Sequence, residues 1–328
     1  MNPGAAAKAT PSAQPDEFDA ILASPSASAQ PAASATTSAK PHAEIAVDSH
    51  AAADLADFAE NWGIYRDPVL CGVLAGAGLA ALGVFVVLRR AVFMTAALSQ
   101  AAGLGVAFAF YAEIHLGFSF SPVFGALLAS VATTQLVGSR PRARLAPETL
   151  VGFAFVAASA LAVLLGDRIA QEAHDIAAIL FGTAVLVRPL DLWLLAGGTA
   201  LTFLTLSLLG RGLVFSGFDP EGARVHGLPV RAIEGGFWTL FALEVSLATR
   251  ALGSLPVFAF SVLPAAAGLL LANRLRSVVV VAVGLGVAAG GLGYVAAFLF
   301  SLPVGASQAT LCAVFASAAY AWARLRRY

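Results

Sequence analysis

Long runs without a charged residue dominate this sequence. No Asp, Glu, Lys or Arg occurs in residues 277–323, nor in the shorter runs 68–88, 91–112, 192–210 and 251–273. Only 12% of all residues are charged, whereas about 25% is usual for a soluble domain. An α-helix needs about 20 apolar residues to cross the hydrocarbon core of a bilayer. The sequence therefore predicts an all-α polytopic membrane protein.

The apolar runs predict nine membrane-spanning helices. We place them at 68–88, 94–114, 120–139, 148–166, 191–210, 234–252, 255–273, 278–300 and 305–323. A further apolar run, 176–187, has only 12 residues. It is interpreted as a re-entrant or interfacial segment, because it is too short to cross alone. Counting it as a span would give ten helices and place the N-terminus on the opposite side.

Arginine residues indicate the orientation, because cytoplasmic loops carry an excess of Lys and Arg. In the nine-span arrangement one side collects most of them: the Arg89-Arg90 pair, the cluster at 140–144, Arg211, Arg224, Arg231, the turn at 273–276 and the tail at 323–327. This side is predicted to be cytoplasmic. The N-terminal segment then lies on the outside.

The composition changes twice along the chain. Residues 1–40 are rich in Ala, Ser and Pro and are predicted to be disordered, because they cannot bury enough apolar surface to offset the loss of chain entropy. Residues 41–66 interleave apolar and acidic side chains, which favours a short acidic helix of an interfacial kind. Residues 67–328 form the transmembrane domain, with a long cytoplasmic loop at 210–233.

Several classes of function are excluded by missing motifs. A phosphate-binding loop of the type GxxxxGK[ST] needs a lysine, and the only lysines, Lys8 and Lys40, lie in the N-terminal tail outside any such motif. The sequence also has no HExxH and no GxSxG motif, and its net charge of zero gives no basic patch for nucleic acid. Cys71 and Cys312 lie inside predicted spans and are interpreted as packing residues.

The long loop contains the start and stop signals of a short helix. Asp219 is a typical N-cap and Pro220 a typical first helical residue, with Glu221 in the first turn. Gly227 stands where a C-terminal cap belongs, and Pro229 prevents continuation. The sequence predicts a helix of about two turns here, either as a docking surface or as an ordinary connector.

Four stretches resemble one family of membrane proteins. The loop segment FDPEGARVHGLPV is similar to the cytoplasmic coupling segment of the permease subunits of zinc, manganese and iron ABC importers, the ABC-3 metal permeases. LGVFVVLRRAVFMTAALSQAAGLGVAF resembles the family's first-to-second helix junction, and LGSLPVFAFSVLPAAAGLLLANRL its helix ending in Pro-Ala-Ala. GGLGYVAAFLFSLPVGASQATLCA resembles its late Gly-rich helix. The resemblance covers about residues 67–325.

The resemblance implies a permease bundle without catalytic activity of its own. Such a chain dimerises, docks two ATPase subunits on its cytoplasmic face and receives substrate from an extracytoplasmic binding protein. Residues 210–233 are then the coupling loop, and its part at 218–231 is the element that the ATPases push. Its residues in the matching segment are Phe218, Asp219, Pro220, Glu221, Ala223 and Gly227.

The second predicted helix departs from the family pattern. Family members usually carry an Asp and a His four residues apart on one face of this helix, where they are thought to contact the metal. The corresponding positions here are Ala96 and Gln100, while Leu98, Ser99 and Ala101 keep the frame. The usual metal ligands are therefore absent, and the identity of any metal ligand is unknown.

Polar residues inside the spans are the remaining candidates for the substrate pathway. Ser99 and Gln100 are two, and the neutral amide oxygen of Gln100 suits a hard, partly hydrated cation better than Zn²⁺. Gln100 would alternatively hydrogen-bond to another helix. The third is Glu244, because a carboxylate within a span is costly and marks a functional site by default. Its structural alternative is pairing with a neighbouring helix or with Arg250.

The sequence thus predicts the permease subunit of an ABC importer for a divalent metal of the zinc or manganese class, in a bacterial cytoplasmic membrane. Alternating access would be driven by ATP hydrolysis on partner chains, and the metal would be the substrate. The alternatives are an ABC permease for another cargo such as a metal chelate, a secondary carrier without ATPases, and a membrane regulator that has kept the fold.

Overall fold

The computed structural model describes residues 58, 60–118, 120–138, 146–168 and 187–326. Within these ranges the regular structure is entirely helical, which confirms the predicted fold class. The helices are α1 (Trp62–Leu88), α2 (Val92–Leu116), α3 (Pro122–Gly138), α4 (Pro147–Arg168), α5 (Pro189–Phe218), α6 (Pro220–Val225), α7 (Val230–Leu252), α8 (Ser254–Leu271), α9 (Leu275–Leu299) and α10 (Val304–Leu325).

Nine of the described helices correspond to the nine predicted spans. Seven of them are long and apolar enough to cross a membrane, namely α1, α2, α4, α5, α8, α9 and α10. The other two are α3, which is shorter, and α7, which carries the charged residues Arg231, Glu234, Glu244 and Arg250. The remaining helix, α6, has six residues. The protein is therefore an integral membrane protein.

Two polar contacts show that α1 and α5 run in the same direction. The Thr199 hydroxyl oxygen on α5 lies 3.3 Å from the backbone carbonyl oxygen of Leu74 on α1. Further along both helices, the Arg89 side chain after α1 donates to the carbonyl of Leu213 on α5 (2.9 Å). This alignment requires an odd number of crossings between α1 and α5, as the nine-span arrangement provides in α2, α3 and α4.

The centre of the bundle is α1, which packs against α5, α8 and α9. Glycines make its contact with α9 close. A Cβ atom at Gly76 would overlap the carbonyl oxygen of Gly286, and one at Gly72 would lie 3.0 Å from the carbonyl oxygen of Gly290. Each helix therefore presents two glycines four residues apart. Small residues at this spacing allow two membrane helices to approach until their backbones touch.

A buried glutamine from α10 enters the same contact. Gln308 is fully buried, and its amide nitrogen donates to the carbonyl oxygen of Gly290 (3.0 Å). A Cβ at Gly72 would lie 2.6 Å from that nitrogen. The glycines therefore make room both for the facing helix and for a polar side chain, which links α10 to α9 beside α1.

The amphipathic helix α7 lies between two pairs of helices. It packs against α1 and α5 on one side and against α2 and α3 on the other. Its contact with α3 is polar, since the Ser246 and Ser130 hydroxyls lie 3.1 Å apart and both residues are fully buried. The buried polar side chains of α7, namely Glu244, Ser246 and Thr249, therefore face protein rather than lipid, which lets this helix be less apolar than its neighbours.

The helix ends differ from the predicted boundaries at two places. Residues 62–66, assigned to the acidic segment, are the first turns of α1. Residues 210–218, assigned to the coupling loop, continue α5, and α7 begins at Val230. After Pro189 the chain has no proline until Pro220. The residue before a proline, here Asp219, disfavours the helical conformation. The helix therefore ends at Phe218, directly before Asp219-Pro220, and not at the first arginine.

The proline of the Pro-Ala-Ala motif also lies elsewhere than expected. Pro264 is inside α8, which runs on to Leu271, and not at its end. Membrane helices tolerate an internal proline when neighbouring groups satisfy the freed backbone carbonyl. Four other expectations fall wholly or mostly outside the described residues: the tail at 1–40, the acidic segment at 41–66, the arginine cluster at 140–144, and the re-entrant segment at 176–187.

Candidate functional site

A buried carboxylate lies between α7 and α5. The Glu244 side chain is fully buried, and both of its oxygens accept hydrogen bonds from α5. The Thr199 hydroxyl donates to Oε1 (2.8 Å), and the Thr202 hydroxyl lies 3.4 Å from Oε2. The two threonines are three residues apart and therefore share one face of the helix. Carboxylate and hydroxyl oxygens thus form a compact polar group inside an apolar bundle.

Two glycines make the space for this carboxylate. A Cβ atom at Gly78 on α1 would overlap Glu244 Oε1, and one at Gly198 on α5 would lie 3.0 Å from Oε2. Any larger residue at Gly78 would therefore displace the carboxylate. The site is built from three helices, since α7 supplies the charge, α5 the hydroxyl donors and α1 the backbone that borders it.

The ion pair considered for Glu244 forms elsewhere. Arg250 pairs with Asp191 at the start of α5, with 3.2 Å between Nε and Oδ1, and both side chains are mostly buried. Asp191 lies in the first turn of α5 and Arg250 in the last turn of α7, where the helix dipoles favour these charges. The alternative in which Glu244 pairs with Arg250 is therefore wrong. The other alternative, pairing with a neighbouring helix, is confirmed by the hydrogen bonds from Thr199 and Thr202 on α5.

We expect the Asp191–Arg250 pair to contribute strongly to the stability of the α5–α7 contact. Arg250→Gln should lower the free energy of unfolding by about 3 kcal/mol, because it leaves a mostly buried carboxylate without its partner. Thermal unfolding of the purified protein in detergent measures this loss. The double variant Asp191→Asn/Arg250→Gln should regain most of it. A double variant no more stable than Arg250→Gln alone would contradict the pairing.

Within the described residues no hydrogen bond joins Ser99 or Gln100 on α2 to the Glu244 carboxylate. Ser99 is buried and donates to the carbonyl oxygen of Ala96 on its own helix (3.0 Å). Gln100 and Ala96 are half-buried, and within the described residues no protein group hydrogen-bonds to the Gln100 amide. The hydrogen bonds of Ser99 and of Glu244 do not connect α2 with the carboxylate.

The short helix of the coupling loop has the predicted caps. The Asp219 carboxylate accepts a hydrogen bond from the backbone N–H of Gly222 (2.8 Å), and Pro220 is the first helical residue. At the other end Gly227 has a φ of +77°. Its N–H bonds to the carbonyl of Arg224 (2.9 Å), and that of Leu228 to the carbonyl of Ala223 (3.0 Å). This pair of bonds is a Schellman cap, in which glycine meets the left-handed conformation at no steric cost.

The short helix α6 (Pro220–Val225), named the coupling helix below after the resemblance, is anchored on one side and exposed on the other. Ala223 is fully buried, and the His226 ring contacts the ring of Phe215 at 5.5 Å between centroids. Glu221 is exposed, as are the large apolar side chains of Phe218 and Val225. Arg224 is exposed as well, so the helix presents a mixed apolar and charged surface next to the end of α5.

The sequence matches the model of the ABC 3 transport family over residues 63–322. The chain belongs to the ABC 3 transport family. It is 30% identical over 260 residues to the manganese import system permease protein ScaB of Streptococcus gordonii, covering 79% of this chain and 90% of that protein. It is also 30% identical over 240 residues to the manganese transport system membrane protein MntC of Halalkalibacterium halodurans, covering 73% and 79%. The resemblance inferred from the sequence is confirmed.

A solved structure has the same fold as this ABC 3 family chain. It is PsaBC from Streptococcus pneumoniae in complex with Fab, with a TM-score of 0.73 and 23% sequence identity. The match covers 82% of this chain and 95% of that one. The helical bundle is therefore a fold shared with an experimentally solved structure.

Several polar residues of this ABC 3 family chain escaped the sequence reasoning. Thr199, Thr202, Ser130 and Ser246 all lie in apolar runs and were not considered. The signal for the first two was present, since two threonines three residues apart follow a Gly-Gly pair on a predicted span. Within the described residues no group of three or more His, Cys, Asp and Glu side chains is close enough to hold a metal ion.

Proposed function

We propose that this chain is the permease subunit of an ABC importer for a divalent metal ion in a bacterial cytoplasmic membrane, with Mn²⁺ as the preferred substrate. It works with two ATPase subunits, an extracytoplasmic binding protein and a second copy of itself. ATP is hydrolysed on the ATPase chains, since neither lysine of this chain lies in a phosphate-binding motif. The names of the two relatives, a manganese import system permease protein and a manganese transport system membrane protein, support this proposal.

The observation that carries the proposal is the buried Glu244 carboxylate with its threonine hydroxyls. All of these donor atoms are oxygens, and oxygen ligands suit Mn²⁺, whereas Zn²⁺ prefers nitrogen and sulfur. The positions equivalent to the family's usual ligands, Ala96 and Gln100, offer at most one further amide oxygen. Glu244 then serves as the charged group that a cation meets between the two sides of the membrane.

The coupling loop supplies the contact with the ATPases in this proposal. Phe218 and Glu221 belong to its exposed surface, and Asp219, Pro220, Ala223 and Gly227 fix the helix that presents them. The buried Ala223 transfers a push on this helix to the bundle rather than to a flexible loop. The coupling loop thus acts as the mechanical link between ATP hydrolysis and the membrane helices.

The test is ATPase activity in proteoliposomes that contain this chain with its cognate ATPase and binding protein. We expect Mn²⁺ to stimulate hydrolysis more than Zn²⁺ or Fe²⁺. Stimulation by a metal chelate alone would replace the proposed substrate with that cargo. Metal uptake by the chain without any ATPase would instead indicate a secondary carrier, and no response from a fully assembled complex would favour a regulator.

A further inference from the structure

Arg89 lies in the turn between α1 and α2, and the proposed function gives it no role. The Arg89-Arg90 pair served only to identify the cytoplasmic side. Its two members differ in the structure, because Arg90 is exposed and Arg89 is half-buried. A charged side chain directed into the protein at the membrane edge needs a reason, since the exposed alternative carries no desolvation cost.

The Arg89 side chain contacts the two helices that flank the coupling helix. Its Nη2 donates to the carbonyl oxygen of Leu213 in the last turns of α5 (2.9 Å). Its guanidinium carbon lies 4.3 Å from the ring centroid of Phe237 near the start of α7, a distance at which a cation is attracted to the ring. One side chain therefore ties α5, α7 and the α1–α2 turn together.

The surroundings of the guanidinium are shaped to receive it. A Cβ atom at Gly217 would lie 3.2 Å from Arg89 Nε and 3.4 Å from Nη2, so the glycine allows the close approach. Burial lowers the pKa of Arg89 below its usual value, and the Glu234 carboxylate opposes that shift. The group nevertheless stays protonated, as arginine does in proteins.

One donor of this guanidinium is unused in the arrangement described here. Nε of Arg89 is buried and, among the described residues, has no hydrogen-bond acceptor. An unpaired buried donor costs free energy. A relative shift of α5 that brought an acceptor to Nε would relieve that cost.

We infer that Arg89 transmits movement of the coupling loop to the α1–α2 turn. This inference rests on the proposed function. The coupling helix follows α5 directly at Asp219 and leads into α7 at Val230, so its displacement moves both helices that Arg89 holds. Beyond Arg89 the chain enters α2, which carries Ser99 and Gln100. Arg89 contacts no substrate in this role and is a positioning residue.

The inference is tested with the assembled complex in proteoliposomes, by measuring both MnCl₂-stimulated ATP hydrolysis and Mn²⁺ uptake. We expect Arg89→Gln to reduce the uptake per ATP hydrolysed about tenfold, within the range usual for the loss of coupling between two sites. Arg89→Lys should restore part of it, because the ammonium can still reach the Leu213 carbonyl. Arg90→Gln, at the exposed neighbour, should behave as the wild type.

A second variant covers the outcome that Arg89→Gln fails to assemble. Gly217→Val leaves Arg89 in place but fills the space beside its guanidinium, and it should reduce the uptake per ATP in the same way. An unchanged ratio in Arg89→Gln, or in Gly217→Val where the first variant does not assemble, would overturn the inference. A wild-type complex that no divalent metal stimulates would instead contradict the proposed function, so the two failures are distinguishable.

Discussion

Glu244→Gln is expected to abolish most Mn²⁺ transport while leaving the protein folded. The amide has the shape of the carboxylate. Its oxygen can accept a hydrogen bond from one of the two threonines, and its NH2 group can donate to the hydroxyl oxygen of the other, so the contact between α5 and α7 should persist. What is lost is the negative charge, together with one of the two oxygens that a cation can bind. Changes to groups that merely support metal ligands already cost about 10–100-fold in affinity or activity. We expect a loss at least that large for a direct ligand.

The measurement is uptake of radioactive Mn²⁺ into proteoliposomes, with ATP hydrolysis recorded in parallel. Glu148→Gln is a matched control, because Glu148 is exposed in the first turn of α4 and has no place in the proposed pathway. Gln100→Ala tests the family's usual position separately. If Glu244→Gln transported Mn²⁺ at the wild-type rate, Glu244 would be a structural residue held by its two threonines.

Gly76→Ala is expected to destabilise the bundle more than so small a change would normally suggest. The added methyl group would overlap the carbonyl oxygen of Gly286. Because that oxygen belongs to the backbone of a helix, it cannot rotate away as a side chain can. The helices α1 and α9 would have to separate along the whole contact, and overpacking of this kind costs about 1–3 kcal/mol. The midpoint of thermal unfolding in detergent should fall.

Gly103→Ala is the matched control for this substitution. Gly103 is also an interior helical glycine, in α2, but a Cβ atom there would have no atom within 4 Å. Its replacement by alanine should raise stability by about 0.5–1 kcal/mol, because alanine restricts the unfolded chain more than glycine does. Equal effects of the two substitutions would show that the close contact of α1 with α9 does not limit stability.

The features that could be predicted from the sequence are those that depend on residues adjacent along the chain. Helix positions follow from runs of apolar residues, and the caps of the coupling helix follow from Asp219, Pro220 and Gly227, because each acts on its own stretch of backbone. The family was also recognisable, since its motifs are continuous segments. The end of α5 was misplaced because arginines were taken as the start of a loop, although only Asp219-Pro220 stops the helix.

The composition of the candidate site could not be predicted in the same way. Glu244 was identified as an unusual residue, but its partners Thr199 and Thr202 lie on another helix, and Gly78 lies on a third. Which faces of three apolar helices meet is decided by the packing of small residues, and hydropathy carries no information about it in an almost uniformly apolar chain. For the same reason Arg250 was considered as a partner for Glu244, which lies on the same helix. Arg250 instead pairs with Asp191 on α5.

The length of α5 has a mechanical consequence. Its 30 residues form one continuous rod of about 45 Å, with Asp191 at one end, Phe218 at the other, and Thr199 in between. When a straight rod tilts about an interior point, its two ends travel in opposite directions, and the longer arm travels further. Thr199 lies much nearer to Asp191 than to Phe218. If α5 tilts about its contact with Glu244, a large displacement of Phe218 beside the coupling helix would therefore produce a smaller displacement, in the opposite direction, at the Asp191–Arg250 ion pair.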